Sequence, residues 1–222
     1  MTEAHNTLPV LYSLRHCPYA MRARIAIFKS KQPVLLREIK LSNKPPEMLA
    51  LSSKGTVPLL VISTSEVIVE SLDIMLYILS ANDPHDLLEK QQPQALTDML
   101  LFIKRFDTQF SAALDTYKCA KRYRESNLMA CRQACEIYIQ ELEQQLSKHQ
   151  FLMSEKESLV DIALMPFIRQ FSKVERQWYQ QSPYPLVRAW LTQYLQSRMF
   201  TKVMAQYPIW VECHQAIIFG DL

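Results

Sequence analysis

The sequence predicts an α/β domain in the order βαβαββα, followed by an all-helical domain. Short strand-like apolar runs alternate with helical stretches in the first part of the chain, whereas long stretches with a helical period follow later. Gly55 and Gly220 are the only glycines among 222 residues, which favours helices over an all-β sandwich. We therefore expect a first domain over 1–81, a linker over 82–93 and a helical domain over 94–222.

Apolar runs and prolines divide the first domain into seven elements. Strands are expected over 8–14, 34–39, 58–62 and 67–69, and helices over 18–30, 45–51 and 72–81. Pro18 stands at the first position of its helix, where a missing N–H costs nothing. Ser71 is predicted to cap the last helix. A parallel β-α-β unit followed by a hairpin and a covering helix makes a three-layer α/β domain.

The rest of the chain shows helical patterns and no convincing strand. Two prolines and many polar residues are typical of a linker over 82–93. Helices are expected over about 94–117, 125–148, 159–173, 185–196 and 198–205. Ser158 and Asp161 form a variant of the capping box at the start of the third of these helices. The last fifteen residues have no helical signal, so we expect them to lie as a surface tail.

Charge and hydropathy exclude several classes of function. Lys and Arg number 25 and Asp and Glu 22, so the net charge of +3 is too small to indicate binding to nucleic acid or to an anionic membrane. No apolar run approaches the length of about 18 residues that a membrane-spanning helix needs. The N-terminus lacks a basic region followed by an apolar stretch, so no signal peptide and a cytoplasmic location are expected.

The five cysteines do not have the spacing of a disulfide framework, and their odd number fits a reducing compartment. Cys131 and Cys135 share a helix face and could form half of a metal site. No second pair of ligands accompanies them, so packing in the core is favoured. The same interpretation applies to Cys119 and Cys213, and no metal is expected.

Cys17 is the strongest candidate for a catalytic residue. It lies at the junction of the first strand and the first helix, where unpaired N–H groups and the helix dipole lower the pKa of a cysteine. Arg15, His16, Arg22 and Arg24 add positive charge nearby. A thiolate at neutral pH is a nucleophile for disulfide exchange. The alternative, a small buried apolar residue, is uncommon at such a junction.

Two further turns carry groups suited to binding a peptide. Pro58 after the Gly55 turn suggests a cis peptide bond, which leaves the backbone N–H and C=O of Val57 free to pair with an extended peptide. At the next helix start, the Ser71 hydroxyl and N–H would hold a carboxylate, and Glu70 an ammonium group. Such a pair suits an α-amino acid. The alternatives are an edge-strand proline and an ordinary helix cap.

In this order and spacing, these segments resemble the glutathione transferase superfamily, and in particular its cysteine-type, omega-like members and two-domain glutaredoxins. The matching segments are 11–22, 43–45, 55–58 and 70–71, together with the capping box at 158–161. The resemblance covers nearly the whole chain. It implies a thioredoxin-like first domain and an all-helical second domain.

The resemblance also implies glutathione as the co-substrate, without a metal or a nucleotide. It implies that Cys17 forms a mixed disulfide with glutathione and that Val57 pairs with the cysteinyl part. Glu70 and Ser71 would bind the γ-glutamyl end, and Lys44 would face the glycine carboxylate. A solvated surface lysine is the alternative for Lys44. The expected partners are a small electrophilic or disulfide substrate and a second copy of the chain in a homodimer.

Ala20 bears on the mechanism. Dithiol glutaredoxins carry a second cysteine three residues after the first, and here that position is Ala20. No internal disulfide can close there, so we expect a monothiol mechanism in which a second glutathione resolves the adduct on Cys17. The resemblance implies thiol transfer, dehydroascorbate-type reduction or reductive removal of glutathione from ketone adducts.

Two other functions remain open from the sequence. A hydroxyl of Tyr12 or Ser13 could activate glutathione for ordinary conjugation. The chain could also be a regulatory protein that keeps the fold and acts by binding a protein. Four aromatic residues could line a pocket for the second substrate at the domain boundary or pack in the core: Phe110, Tyr117, Trp178 and Trp210.

Overall fold

The computed structural model describes residues 8–215 and 217–220. The chain divides into two compact units. One comprises Met1–His85 together with Arg198–Leu222, and the other comprises Asp86–Ser197. The C-terminal segment therefore belongs to the first unit, whereas the sequence led us to expect it at the end of the helical domain.

The first unit begins with the predicted βαβαββα order, which confirms the α/β fold class. Its elements are β1 (Val10–Ser13), α1 (Pro18–Ser30), β2 (Val34–Glu38), α2 (Pro46–Leu51), β3 (Leu59–Val61), β4 (Val67–Ile68) and α3 (Ser71–Ala81). Strand β1 pairs in parallel with β2 and antiparallel with β3, and β3 pairs antiparallel with β4. This is the thioredoxin-like arrangement that the resemblance implied.

Helix α1 holds this unit together because it is buried along most of its length. Ala20, Ala23, Ile25, Ala26 and Ile27 are fully buried, and the helix packs against α3. Burying an isoleucine side chain contributes about 1.5–3 kcal/mol, and the small alanines let the two helices approach closely. The packing fixes the N-terminus of α1 relative to that of α3.

The second unit is all-helical in its described residues, as predicted. Its helices are α4 (Pro93–Arg105), α5 (Ser111–Tyr123), α6 (Leu128–Leu146), α7 (Leu159–Val174), α8 (Arg176–Gln181) and α9 (Pro185–Leu195). A π-helical turn over Phe106–Phe110 joins α4 to α5. Helix α8 was not predicted because six residues are too short to show a helical period.

The predicted capping box starts α7. Asp161 Oδ2 accepts hydrogen bonds from the backbone N–H and the hydroxyl of Ser158, at 3.0 and 2.9 Å. Its Oδ1 accepts from the Leu152 N–H at 3.0 Å and from Trp190 Nε1 at 3.1 Å. Burial nevertheless raises the pKa of Asp161 to about 6, in spite of these four bonds. The carboxylate thus ties three segments of the second unit together.

The chain then returns to the first unit through α10 (Arg198–Val203), α11 (Trp210–Cys213) and β5 (Ile217–Phe219). Strand β5 pairs antiparallel with β2, which gives the sheet the order β4-β3-β1-β2-β5. The prediction of a surface tail is therefore wrong for these residues. A three-residue strand has too few positions to show alternation, and its partner is far away in the sequence.

Gly220 follows β5 with a φ of +107°, which side chains rarely adopt. A β-carbon there would meet the carbonyl oxygen of Gln32 and would lie 2.7 Å from Ile27 Cγ2. Glycine therefore allows the end of the strand to lie against the turn between α1 and β2. Across the described residues, no helix has the length and apolar character needed to cross a membrane.

Candidate functional site

Cys17 is the N-cap residue of α1, as predicted. Its φ of −75° and ψ of 124° are not helical. Its N–H donates to the Leu14 carbonyl at 3.0 Å, and its own carbonyl accepts the first helical bond from the Met21 N–H at 2.9 Å. The side chain is partly exposed rather than buried. The sulfur thus stands at the start of a 13-residue helix, where it is accessible to a reagent.

Val57 lies across from this sulfur. Cys17 Sγ is 3.7 Å from the carbonyl oxygen of Val57, and the Val57–Pro58 bond is cis, as the sequence suggested. Among the described residues, no hydrogen bond engages the Val57 N–H. This backbone N–H is therefore available to an extended ligand that runs past the sulfur.

A cavity of about 250 Å³ brings three of the predicted residues together. Val57, Glu70 and Ser71 line it, with Tyr19 and Lys54 among the other lining residues. The cavity is small and carries charges of both signs. Such a site suits a polar ligand with an ammonium and a carboxylate group.

Glu70 and Ser71 stand at the N-terminus of α3. Glu70 is the N-cap residue and Ser71 the first helical residue, so Ser71 is not the cap that we predicted. The Glu70 carboxylate pairs with Lys54 Nζ at 2.9 Å, but both side chains are more than 60% exposed. A pair so exposed contributes at most about 1 kcal/mol, so the carboxylate can exchange Lys54 for another cation.

Buried positive charge lies behind Ser71. Arg22 is fully buried on α1, and its Nη1 lies 3.5 Å from the Ser71 hydroxyl. The same guanidinium lies 5.9 Å from the ring centroid of Tyr19, another residue that lines the cavity. Together with the N–H groups at the start of α3, it makes this end of the cavity suitable for an anion.

Lys44 lies in the connection between β2 and α2. Its Nζ is 3.5 Å from the position that a β-carbon on Gly55 would occupy, so it reaches the turn that leads to Val57. In the part of the chain that the structure describes, its ammonium group has no hydrogen-bond or ion-pair partner. It is not among the residues that line the 250 Å³ cavity.

Arg24 does not supply the positive charge that we expected near Cys17. Its fully buried guanidinium forms an ion pair with Glu38 and donates to Ser13 Oγ at 2.8 Å and to the Val203 carbonyl at 3.1 Å. The carboxylate compensates its charge. Glu38 was not among the residues predicted from the sequence, although an acidic residue at the end of an apolar strand is itself a signal of a buried charge pair.

The hydroxyls of Tyr12 and Ser13 are both engaged away from the cavity. Tyr12 is buried, and its hydroxyl accepts a hydrogen bond from Arg37 Nη1 at 2.5 Å. Burial raises the pKa of Tyr12. Ser13 is also buried and accepts from Arg24. Neither residue lines the cavity that Val57, Glu70 and Ser71 share.

The remaining cysteines divide into two groups. Cys131 and Cys135 are buried on α6, which confirms core packing, and burial raises the pKa of Cys135 to about 12. Cys119 and Cys213 are exposed, so the expectation of core packing is wrong for them. Among the described residues, no group of three or more His, Cys, Asp and Glu side chains could hold a metal ion.

The four candidate aromatic residues do not form one group. The rings of Phe110, Tyr117 and Trp178 lie 5.8–6.2 Å from that of Phe171. Phe110 and Tyr117 are buried, so core packing is confirmed for these two residues. Trp210 lies on α11 of the first unit.

Comparison with known proteins gives matches over both halves of the chain. Residues 11–86 match the glutathione S-transferase N-terminal domain family, and residues 92–197 match the C-terminal domain family. Pyrimidodiazepine synthase from Drosophila melanogaster is 27% identical over 195 residues, which cover 82% of this chain and 74% of that protein.

Solved structures show the same fold at low sequence identity. Glutathione transferase Omega 3C from Trametes versicolor is 18% identical with a TM-score of 0.76, over 96% of this chain and 91% of its own. A glutathione transferase family member from Pseudomonas fluorescens with two glutathione bound is 17% identical with a TM-score of 0.78, over 90% and 94%. A glutathione S-transferase-I bound with lactoylglutathione is 19% identical with a TM-score of 0.74, over 89% and 99%.

Proposed function

Because this chain belongs to the glutathione S-transferase family, we propose that it is a glutathione-dependent thiol transferase with Cys17 as its nucleophile. One observation carries the proposal: the partly exposed sulfur at the start of α1 lies 3.7 Å from the Val57 carbonyl, beside a cavity with Glu70 and Ser71. These are the groups that a reactive thiol needs beside a site for a peptide.

The position of Cys17 favours its thiolate. The first N–H groups of a helix lack intrahelical partners, and the positive end of the helix dipole lies there. Both interact more favourably with a thiolate than with a thiol. Since the side chain is partly exposed, the thiolate can reach a disulfide in solution.

Each part of glutathione has a matching group. The N–H and C=O of Val57 pair with the cysteinyl residue as in a strand, which directs its sulfur towards Cys17. Glu70 binds the ammonium of the γ-glutamyl end, and the Ser71 hydroxyl and N–H bind its carboxylate, with Arg22 behind them. Lys44, whose ammonium is unpaired among the described residues, binds the glycine carboxylate.

The proposed reaction has two disulfide exchanges. The Cys17 thiolate attacks the glutathionyl sulfur of a mixed disulfide, so that a bond forms between Cys17 and glutathione and the other thiol leaves as a thiolate, which takes up a proton. A second glutathione thiolate then attacks the adduct, which releases oxidised glutathione and regenerates the Cys17 thiolate. Ala20 stands where a resolving cysteine would be, so this second glutathione is required.

The proposed substrates are small disulfides or electrophiles that form such adducts. Thiol transfer, dehydroascorbate-type reduction and reductive removal of glutathione from ketone adducts share the covalent step at Cys17. All five cysteines are free, which supports a reducing compartment such as the cytoplasm.

Ordinary conjugation needs a hydroxyl that stabilises the thiolate of glutathione. Both candidates for that role are buried and bonded to arginines, Tyr12 to Arg37 and Ser13 to Arg24. This supports the cysteine mechanism over conjugation.

Intact-mass measurement after incubation with oxidised glutathione tests the proposal. We expect one adduct of glutathione mass that a reductant removes and that is absent in Cys17→Ser. The two exposed cysteines provide matched controls, since Cys119→Ser and Cys213→Ser should retain the adduct. An adduct that survives in Cys17→Ser would contradict the proposal, and failure to bind a glutathione column would point to a regulatory protein.

A further inference from the structure

Helix α11 contacts both ends of the segment that carries Lys44. At one end, Glu212 pairs with Lys40 Nζ at 2.5 Å. At the other end, Trp210 Nε1 donates to Glu47 Oε1 at 2.5 Å. The segment 40–47 leads from β2 into α2, and Lys44 lies between the two contacts.

Trp210 is itself held firmly on the first unit. The guanidinium of Arg37 lies 3.9 Å from the centroid of its ring, and Arg37 Nη1 lies 3.7 Å from Glu47 Oε1. The indole also packs against a core cluster that includes Tyr12 and Met48. A cation over an aromatic face and an N–H bond to a carboxylate fix both the plane and the edge of the ring.

The segment between the two contacts is short and partly ordered by its own backbone. Asn43 pairs with Lys40 in an isolated bridge, and its N–H donates to the Lys40 carbonyl at 3.1 Å. Helix α2 begins two residues after Lys44, at Pro46. A shift of Lys40 or Glu47 therefore moves the Lys44 backbone with it.

We propose that Trp210 is a positioning residue that holds Lys44, through Glu47 and the start of α2, in place for the glycine carboxylate of glutathione. The inference rests on the proposed function. It gives α11 a role in the affinity for one end of the tripeptide. Trp210 acts through Lys44 and does not itself bind that carboxylate.

A ligand without the glycine residue separates this role from a purely structural one. γ-Glutamylcysteine N-methylamide retains the groups that face Glu70, Ser71 and Val57, including the amide carbonyl, but lacks the carboxylate that Lys44 binds. If Trp210 only stabilised the fold, its replacement would lower the affinity for both ligands to the same extent. If it positions Lys44, the loss is confined to glutathione.

The experiment measures the binding of both thiols to Trp210→Phe, together with steady-state thiol transfer. Phenylalanine keeps an aromatic face for Arg37 but has no N–H for Glu47. We expect the Kd and KM for glutathione to rise about fivefold or more. The Kd for γ-glutamylcysteine N-methylamide and kcat at saturating glutathione should stay within about twofold of wild type. Lys44→Ala should show the same selective loss of glutathione affinity. The double variant Trp210→Phe/Lys44→Ala should lose less free energy of glutathione binding than the sum of the two single losses.

The Lys40 contact gives a second test that leaves the indole intact. Lys40→Gln removes the ion pair with Glu212 and should lower the affinity for glutathione selectively. Lys118→Gln is its matched control, because it also removes one positive charge from an exposed ion pair, with Asp115 in the second unit, and should bind both thiols as wild type does.

The outcomes distinguish this inference from the function on which it rests. Selective loss of glutathione affinity in Trp210→Phe and Lys40→Gln supports it. Equal loss of affinity for both thiols, or no loss for either, overturns the positioning role and leaves the proposed function standing. Wild-type protein that binds neither thiol refutes the proposed function, and the inference with it.

Discussion

Glu38 Oε1 accepts a hydrogen bond at 2.7 Å from the backbone N–H of Arg15, two residues before Cys17. The other oxygen of that carboxylate pairs with the buried guanidinium of Arg24. One side chain at the end of β2 therefore compensates a buried charge and fixes the turn that leads into α1. Cys17, the proposed nucleophile, owes part of its position to a residue 21 places later in the sequence.

Removal of Glu38 should destabilise the protein strongly. Glu38→Ala leaves Arg24 buried without its carboxylate, and we expect the free energy of unfolding to fall by about 3–5 kcal/mol. Chemical denaturation measures this. The double variant Arg24→Met/Glu38→Gln should lose less free energy of unfolding than the sum of the losses in Arg24→Met and Glu38→Gln, because it leaves no unpaired charge. Strict additivity would show that the two side chains do not interact.

Cys17 should be alkylated at a lower pH than a free cysteine. The helix start favours its thiolate. We therefore expect the pH profile of its alkylation rate with iodoacetamide to have a midpoint below about pH 8.5, the pKa of an unperturbed thiol. Peptide mass spectrometry resolves each cysteine in the same sample. Cys135 is an internal negative control, since burial raises its pKa to about 12. A Cys17 midpoint at or above that of a free thiol would contradict the mechanism.

The pH dependence of stability should contain a contribution from Asp161. Burial raises the pKa of its carboxyl to about 6, above the unfolded value of about 3.9. Between these two values the folded state binds more protons than the unfolded state, so this group lowers stability as the pH rises. We expect the free energy of unfolding of wild type, minus that of Asp161→Asn, to fall as the pH rises from about 4 to about 6. A difference that grows over this range would show that the pKa is lowered instead.

The two glycines should respond differently to alanine. In Gly220→Ala the new side chain is strained by the φ of +107° and collides with the carbonyl of Gln32. We therefore expect a loss of about 1–3 kcal/mol in the free energy of unfolding. Gly55 has a φ of +55°, which alanine can adopt at a cost of about 1 kcal/mol, and its closest neighbour is the flexible end of Leu49. Thermal denaturation of the two variants should rank Gly220→Ala as the less stable. The opposite ranking would mean that β5 contributes little to stability.

Local signals located most elements of the first unit and the capping box of the second. Pro18 marked the start of α1 at the correct residue, and the interactions that carry such signals lie within one turn. Such signals do not identify which residues distant in the sequence become partners. Arg24 looked like a free charge near Cys17, because its pairing with Glu38 exists only once β2 lies beside β1.

The same limit applies to the candidate site. Cys17, Val57, Glu70 and Ser71 each stand at a turn with its own local signal, and the fold brings these turns together. The contacts of Trp210 with Arg37 and Glu47 join residues more than 160 positions apart, and the sequence offered only an aromatic residue with two interpretations. Cys119 and Cys213 show that residue type alone does not determine burial.

The pairing of β5 with β2 has a consequence for biosynthesis. Strands β1 to β4 leave the ribosome early, yet the edge of β2 keeps its N–H and C=O groups unpaired until Ile217–Phe219 has been translated. The whole helical unit is made in the interval. The nascent chain therefore has to carry an incomplete sheet, with an open edge that can pair with other chains, until translation of the last strand completes it.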